Sequence, residues 1–113
     1  MNESNLNKEF REDAIGEYEN QVATYHDTLQ QYSDSVVYIE SVYPKKGMPQ
    51  YGIEYNDEVE IENQNLKSLT YEQILLFLKN IKKERKEKFM NFLKKRDITF
   101  KSELDYWIDK DAI

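Results

Sequence analysis

The spacing of apolar residues near the start of the chain is the feature that most constrains its fold. Between residues 6 and 32 they recur every three or four positions, which is the spacing of one face of an amphipathic helix. The apolar positions are Leu6, Phe10, Ala14, Tyr18, Val22, Tyr25, Leu29 and Tyr32. We therefore predict one long N-terminal helix that ends near Ser33, with Gly16 as a weak point inside it.

Three tyrosines in this stripe, Tyr18, Tyr25 and Tyr32, lie seven residues apart, as the d positions of a coiled coil do. The flanking positions lack the complementary charges that specify a coiled coil. Packing of the stripe against another helix of the same chain is therefore the leading interpretation. The open alternative is a docking edge formed by the three tyrosines, since tyrosine is enriched at protein interfaces. A homodimer through this edge also stays open.

The middle of the chain changes to the pattern of strands. The stretch SVVYIESVY is rich in β-branched and aromatic residues and ends at Pro44, and EVEIE alternates strictly between charged and apolar residues. After Pro44 the stretch PKKGMPQ has loop chemistry, and YGIEY begins a second run. Asn56 and Asp57 have the chemistry of a tight turn. We therefore predict a three-stranded antiparallel meander between about residues 35 and 62, with one apolar face that a helix must cover.

The stretch LTYEQI marks the start of a second helix. Thr70 as N-cap and Gln73 at the third helical position form a capping box, and Leu69 with Ile74 suits a hydrophobic staple. We predict a helix that begins at Tyr71 and covers the meander. Its basic continuation, KKERKEK, has no apolar residue for two turns.

The end of the chain reads as a short C-terminal helix. Phe100, Leu104, Trp107 and Ile108 follow helical spacing, with Ser102 as a suitable cap, and Trp107 would dock the helix on the core. Together these elements predict an α+β fold in one domain over residues 1–113. The length suits a single modest core, and residues 1–5 are predicted to be flexible.

Composition indicates a cytoplasmic protein. The chain has no cysteine, so a disulfide framework and thiolate chemistry are excluded. No apolar run approaches the roughly 20 residues that span a bilayer, and the polar start does not resemble a signal peptide. The abundance of Lys, Asn, Ile and Tyr is typical of an AT-rich genome, which favours the cytoplasm of a bacterial host.

No motif for catalysis, a metal or a cofactor is visible. His26 is the only histidine, and neither Tyr25 nor Asp27 faces it at helical spacing. The glycines at 16, 47 and 52 do not fit a phosphate-binding loop. We therefore expect no enzyme, no metal and no cofactor. The alternative is an enzyme built on scattered carboxylates without a local signature.

Charge is distributed unevenly along the chain. Residues 79–96 hold nine Lys or Arg against two Glu, a balance of +7, so the remainder carries −13 to give the formal −6. We favour a complementary role for this segment, toward the acidic first part of the chain or toward a partner. The alternative is a small nucleic-acid-binding or replication accessory protein that contacts phosphates through basic residues. Those residues would be Lys82, Lys83, Lys86 and Lys88.

The acidic run DEVEIE suggests a function. Glu58, Glu60 and Glu62 share one strand face at about 6.6–6.8 Å spacing, roughly two phosphate steps of a DNA strand. A solvated strand face is the plain interpretation. The sharper hypothesis is a small acidic phage or mobile-element inhibitor, of the anti-restriction or anti-CRISPR kind, that mimics DNA. It would bind and mask a host protein with a basic nucleic-acid-binding cleft. The partner-binding residues of this hypothesis are Glu54, Asp57, Glu58, Glu60, Glu62, Tyr51 and Tyr55.

Overall fold

The chain forms a five-stranded sheet with two helices. The computed structural model describes residues 9–108, and at residues 9, 107 and 108 it describes the backbone alone. All strands belong to one antiparallel sheet in the order β1-β2-β3-β4-β5, and both helices lie between β4 and β5. The elements are β1 (Glu9–Glu19), β2 (Ala23–Tyr32), β3 (Ser35–Pro44), β4 (Ile53–Glu62), α1 (Tyr71–Lys79), α2 (Arg85–Lys95) and β5 (Lys101–Ile108).

A hairpin of β1 and β2 stands where the sequence predicts a long N-terminal helix. Asn20 makes the turn, because its side-chain oxygen accepts hydrogen bonds of 2.9 Å from the backbone N–H groups of Val22 and Ala23. Pairing of β2 with β3 along its length then fixes the extended backbone. The predicted helix over 6–32 is therefore wrong. The predicted flexible segment 1–5 lies outside the described residues.

The predicted meander is partly wrong. β3 is confirmed as a strand that ends at Pro44. β4 is one strand of ten residues, however, and Asn56 and Asp57 lie inside it, opposite residues 41 and 40 of β3. The predicted loop after Pro44 is confirmed and joins β3 to β4, and in it Gly47 and Gly52 have φ values of 98° and 94°. Glycine adopts this backbone region without the penalty that a side chain adds.

The capping box at the start of α1 is confirmed. The Thr70 hydroxyl accepts from the Gln73 N–H at 3.1 Å, and the Gln73 side chain accepts from the Thr70 N–H at 2.9 Å. The basic continuation is a separate helix, because α1 ends at Lys79 and α2 begins at Arg85. Glu84 precedes α2 with a left-handed backbone, at a φ of 54°.

The predicted C-terminal helix is wrong, because these residues form β5. The strand pairs with β4 from Lys101 opposite Glu60 to Ile108 opposite Ile53. The stretch KSELDYWI alternates between polar and apolar residues over most of its length, which suits a strand as well as the helical spacing of its apolar residues suits a helix. The predicted docking of Trp107 on the core lies outside the described side chains.

The hydrophobic core lies between the helices and one face of the sheet, which we call the helix face. Leu29, Val36, Tyr38, Val59 and Ile61 come from the sheet, and Ile74, Leu75, Leu78, Phe89 and Leu93 come from the helices. The Tyr38 and Phe89 rings meet edge to face at 5.7 Å. The opposite face, which we call the open face, is covered by no element within residues 9–108. In the same range neither helix has the length and apolar character needed to cross a membrane.

Candidate functional site

The open face of the sheet is acidic on both sides of its centre. Side chains alternate between the two faces along each strand, so the register places carboxylates from three strands on the open face. They are Glu12, Glu17 and Glu19 of β1, Glu54, Glu58, Glu60 and Glu62 of β4, and Glu103 and Asp105 of β5. Two lysines partly offset this charge, with Lys45 at 2.8 Å from Glu19 and Lys101 at 3.3 Å from Glu62.

Glu58 lies where the acids of β4 and β5 meet. Burial raises the pKa of its carboxyl, and the negative charges of Asp105, Glu103 and Glu60 raise it further. Like charges at close range disfavour ionisation, so this part of the face holds unrelieved negative potential. Within residues 9–108, Glu58 forms no ion pair. A cation supplied from outside would relieve the repulsion.

The centre of the open face is less charged than its rim. Val37, Ile39 and Tyr43 project from β3, and a shallow depression of about 410 Å³ includes Ile39, Tyr43 and Glu58 in its lining. His26 meets the Tyr43 ring edge to face at 5.4 Å, and its Nδ1 lies 3.5 Å from Glu17. An uncharged centre inside a charged rim is the usual arrangement of a protein interface.

The structure brings together only part of the predicted partner-binding set. Glu54, Glu58, Glu60 and Glu62 do share the open face. Tyr55 and Asp57 point to the helix face, where Asp57 pairs with Lys86, and Tyr51 lies in the loop between β3 and β4. The acids also spread over three strands instead of following one line. The predicted track of phosphate-like charges, with Asp57 in a turn, is therefore wrong.

A row of tyrosines crosses the helix face beyond the helices. Register aligns the row over all five strands, and we call it the tyrosine shelf. It consists of Tyr18, Tyr25, Val42, Tyr55 and Tyr106. The Tyr18 and Tyr25 rings stack at 4.4 Å with 8° between their planes. Tyr18 is 51% exposed and Tyr106 is 64% exposed, so the two ends of the row are open to solvent.

The predicted docking edge is split between the two faces. Tyr18 and Tyr25 pair directly across β1 and β2 on the helix face. Tyr32 projects from the open face at the other end of β2, where its hydroxyl donates to the Gln30 side chain at 2.5 Å. The seven-residue spacing therefore does not define one surface. Successive side chains of a strand point to opposite faces, so Tyr25 and Tyr32, seven residues apart on β2, lie on opposite faces.

A row of acids separates the tyrosine shelf from the core. Asp27, Glu40 and Asp57 stand opposite one another on β2, β3 and β4. Asp27 is 2% exposed, pairs with Arg85 and accepts a hydrogen bond of 2.6 Å from the Tyr38 hydroxyl. Its other oxygen, Oδ1, has no hydrogen-bond partner among the described residues. Buried charge in this row is therefore only partly compensated.

Arg85 holds the helices to this row. Its Nε donates to the carbonyl oxygens of Leu78 at 2.9 Å and Ile81 at 3.1 Å, while its Nη1 pairs with Asp27. A Cβ added at Gly16 would lie 3.2 Å from the guanidinium nitrogens. The glycine therefore lets β1 approach the arginine closely.

Glu40, in the middle of the acid row, has no such partner. It forms no ion pair within residues 9–108. Burial raises the pKa of its carboxyl, and the charges of Asp27 and Asp57 raise it further against the opposing effect of the nearby cations. A half-buried carboxyl without an ion-pair partner among residues 9–108 thus lies beside the tyrosine shelf.

The helices carry positive charge on the layer opposite the open face. The exposed cations are Lys79, Lys82, Lys83, Lys88, Lys94, Lys95 and Arg96. Of the predicted phosphate contacts, Lys82, Lys83 and Lys88 belong to this layer. Lys86 does not, because it is engaged with Asp57. Negative and positive charge therefore lie on opposite sides of the molecule.

Comparisons with known proteins identify no relative. No protein-family model, curated protein or solved structure matches the chain. Within the described part of the chain, no group of three or more His, Cys, Asp or Glu side chains could hold a metal ion. The fold and the comparisons give no support to the phage, mobile-element inhibitor and DNA-mimic hypotheses, which we withdraw.

Sequence reasoning missed the acids that β1 and β5 add to the open face. The alternation in KSELDYWI was the available signal, because it places Glu103 and Asp105 on one side of a strand. The tyrosine shelf had no comparable signal. Its members come from five strands, and only the long-range register aligns them.

Proposed function

We propose that this chain is a non-enzymatic binding protein whose open face docks on a cationic surface of a protein partner. The observation that carries the proposal is the convergence of carboxylates on Glu58, which has no ion-pair partner within residues 9–108. A cationic side chain placed over Glu58 would offset the repulsion from Glu60, Glu103 and Asp105. Relief of this charge repulsion, which destabilises the isolated protein, would therefore strengthen binding.

The dimensions of the open face favour a broad partner surface. Four inter-strand gaps of about 4.8 Å give a width of about 19 Å between the outer strands. Acids lie on both sides of the uncharged β3 strip of Val37, Ile39 and Tyr43. We propose that the partner surface is a basic nucleic-acid-binding cleft, which presents cations over a similar width, and that docking masks it.

The cytoplasm is the compartment that we propose for this interaction. The sequence contains no cysteine, which suits a reducing compartment. Nucleic-acid-handling proteins of a bacterial cell are present there as candidate partners.

The test compares three versions of the chain as baits in a bacterial lysate. The first is the wild type, and the second carries Glu58→Lys and Glu103→Lys, which replace a directly opposed pair on β4 and β5. The third carries Glu84→Lys and Glu87→Lys on the helix layer, and makes the same change in net charge. Bound proteins are identified by mass spectrometry, and the affinity of each purified candidate is measured at several salt concentrations.

We expect a partner that binds the wild type and the helix-layer variant but loses at least ten-fold in affinity for the open-face variant. Its binding should weaken as salt rises from about 0.1 to 1 M, because the screening length falls from about 10 to 3 Å. Duplex DNA should compete with the chain for that partner. Equal binding to both variants, or a failure of DNA to compete, contradicts the proposal.

A second candidate function is nucleic-acid binding by the helix layer. The observation that favours it is the exposure of Lys82, Lys83 and Lys88 on the side away from the acidic open face. Retention of the chain on DNA or RNA at low salt, and its loss when these three residues become Glu, would support it. No retention at low salt would remove it.

A further inference from the structure

The tyrosine shelf is open to solvent at both of its ends within the described structure. The acid row, and not the shelf, is where α2 begins, because Arg85 and Lys86 at its start pair with acids of that row. The stacked Tyr18 and Tyr25 rings form one flat end of the shelf, and the exposed Tyr106 forms the other. Such rings bind flat or cationic groups well.

Negative charge borders the shelf on its inner side. Asp27 and Asp57 are paired with Arg85 and Lys86, but Glu40 between them is not paired within the described range. Glu40 is the diagonal neighbour of Tyr25 on the same face, because Tyr25 pairs with Val42, two residues further along β3. Its charge also adds to burial in raising the pKa of the Tyr18 hydroxyl. This charge disfavours phosphate groups, whether of nucleic acid or of lipid headgroups, and favours a cation.

One contact within the protein shows how a tyrosine ring and neighbouring carboxylates together bind a cation. Near the other end of the same sheet face, the Arg11 guanidinium lies 4.5 Å from the centre of the Tyr71 ring. The same guanidinium donates to Asp13 at 2.7 Å and pairs with Glu72. Arginine stacks on a ring and binds carboxylates at once because its charged group is planar, whereas the lysine ammonium is a compact point charge. The tyrosine shelf and Glu40 offer the same two elements, and the neighbouring Arg85 is paired with Asp27 instead of with Glu40.

We propose that the tyrosine shelf, with Glu40 at its border, binds an arginine side chain carried by an extended segment of a partner protein. The guanidinium lies on the Tyr18 and Tyr25 end of the shelf and donates to the Glu40 carboxylate. Neighbouring residues of the segment cross the remaining shelf toward Tyr55 and Tyr106. This surface is on the opposite side of the sheet from the open face, so each proposal can fail without the other.

The probes are triarginine and trilysine peptides with blocked ends, added to the full ¹⁵N-labelled chain and followed by NMR. The first variant pair is Glu40→Gln and Glu58→Gln, which remove the same charge from a half-buried carboxyl on opposite faces. The second pair is Tyr18→Ala and Tyr51→Ala, which each remove one exposed tyrosine, on the shelf and in the loop between β3 and β4 respectively. Amide spectra of all four variants report whether the fold is kept.

We expect triarginine to shift the amide signals around Tyr18, Tyr25 and Glu40, and to bind at least five-fold more tightly than trilysine. Glu40→Gln and Tyr18→Ala should each weaken triarginine binding at the shelf at least five-fold. Glu58→Gln and Tyr51→Ala should change this affinity less than two-fold. The difference between the peptides separates stacking of a planar group from simple attraction to a negative protein.

Four results would overturn the proposal. The first is equal affinity for both peptides at the shelf, and the second is shifts confined to the open face. The third is a change of shelf signals on Lys110→Gln in the protein without peptide, which would assign the shelf to the chain's own residues 109–113. The fourth is shelf signals that move with protein concentration, which would assign it to a second copy.

Discussion

Replacing Arg85 by methionine should remove the main polar link between the helices and the sheet. The Arg85 side chain is 11% exposed, and its guanidinium pairs with Asp27 and donates to the carbonyl oxygens of Leu78 and Ile81. Methionine keeps much of the apolar volume but supplies no donor. The Asp27 carboxylate would then stay buried with the Tyr38 hydroxyl as its one remaining hydrogen-bond donor among the described residues.

The expected cost follows from this uncompensated charge. Breaking a buried ion pair by removing one partner destabilises a protein by about 3–5 kcal/mol. For a chain of this size, about 3 kcal/mol corresponds to a fall in Tm of at least about 12 °C. The Lys86–Asp57 pair supplies a matched control, because its side chains are 21% and 26% exposed. Lys86→Met should cost at most about 1 kcal/mol.

Urea denaturation followed by circular dichroism measures both free energies of unfolding. A double variant, Asp27→Asn with Arg85→Met, completes a thermodynamic cycle. Its cost should be smaller than the sum of the two single costs by at least about 1 kcal/mol, since the charge that Arg85 compensates is already gone. A loss below about 1 kcal/mol for Arg85→Met, or equal losses for Arg85→Met and Lys86→Met, would refute the reasoning.

Two further predictions concern a helix end and the open face. Asp97 has a φ of 56° after α2, where the Ile98 N–H donates to the Leu93 carbonyl at 3.0 Å in a Schellman motif. Asp97→Gly should therefore stabilise the protein by about 0.5–1 kcal/mol in urea denaturation, and a loss of stability would contradict this. The raised pKa of Glu58 means that its ionisation destabilises the folded state as pH rises through the folded pKa. Glu58→Gln should consequently raise Tm at pH 7. The gain should vanish near about pH 3, which lies well below the unfolded pKa of about 4.3, so that the wild-type side chain is protonated in both folded and unfolded states. A gain that is independent of pH would count against this prediction.

Local chemistry was readable from the sequence where a few neighbouring residues decide the structure. Thr70 and Gln73 satisfy each other's backbone groups within one turn, so the start of α1 could be predicted. Pro44 likewise ends β3 without help from distant residues. The polar and apolar alternation of the second half of β4 was also visible, and with it the shared face of Glu58, Glu60 and Glu62.

Elsewhere the pattern was compatible with two structures, and pairing decided between them. The spacing of Tyr18, Tyr25 and Leu29 suits a helix, yet the turn at Asn20 and the pairing of β2 with β3 place these residues in strands. Leu104 and Ile108 suited a helix in the same way until β5 paired with β4. Secondary-structure propensity is worth a fraction of a kcal/mol per residue, so long-range pairing and burial override it.

The candidate surfaces show the same division. The sequence by itself determined the amount of charge, its separation into an acidic majority and a basic segment, and the abundance of tyrosine. Only the tertiary structure decided which residues share a face, because a strand sends adjacent side chains to opposite sides. Asp57 consequently lies on the helix face, where it pairs with Lys86. Pairing of β4 with β5 places Glu103 opposite Glu58, although the two residues are more than forty positions apart in the chain.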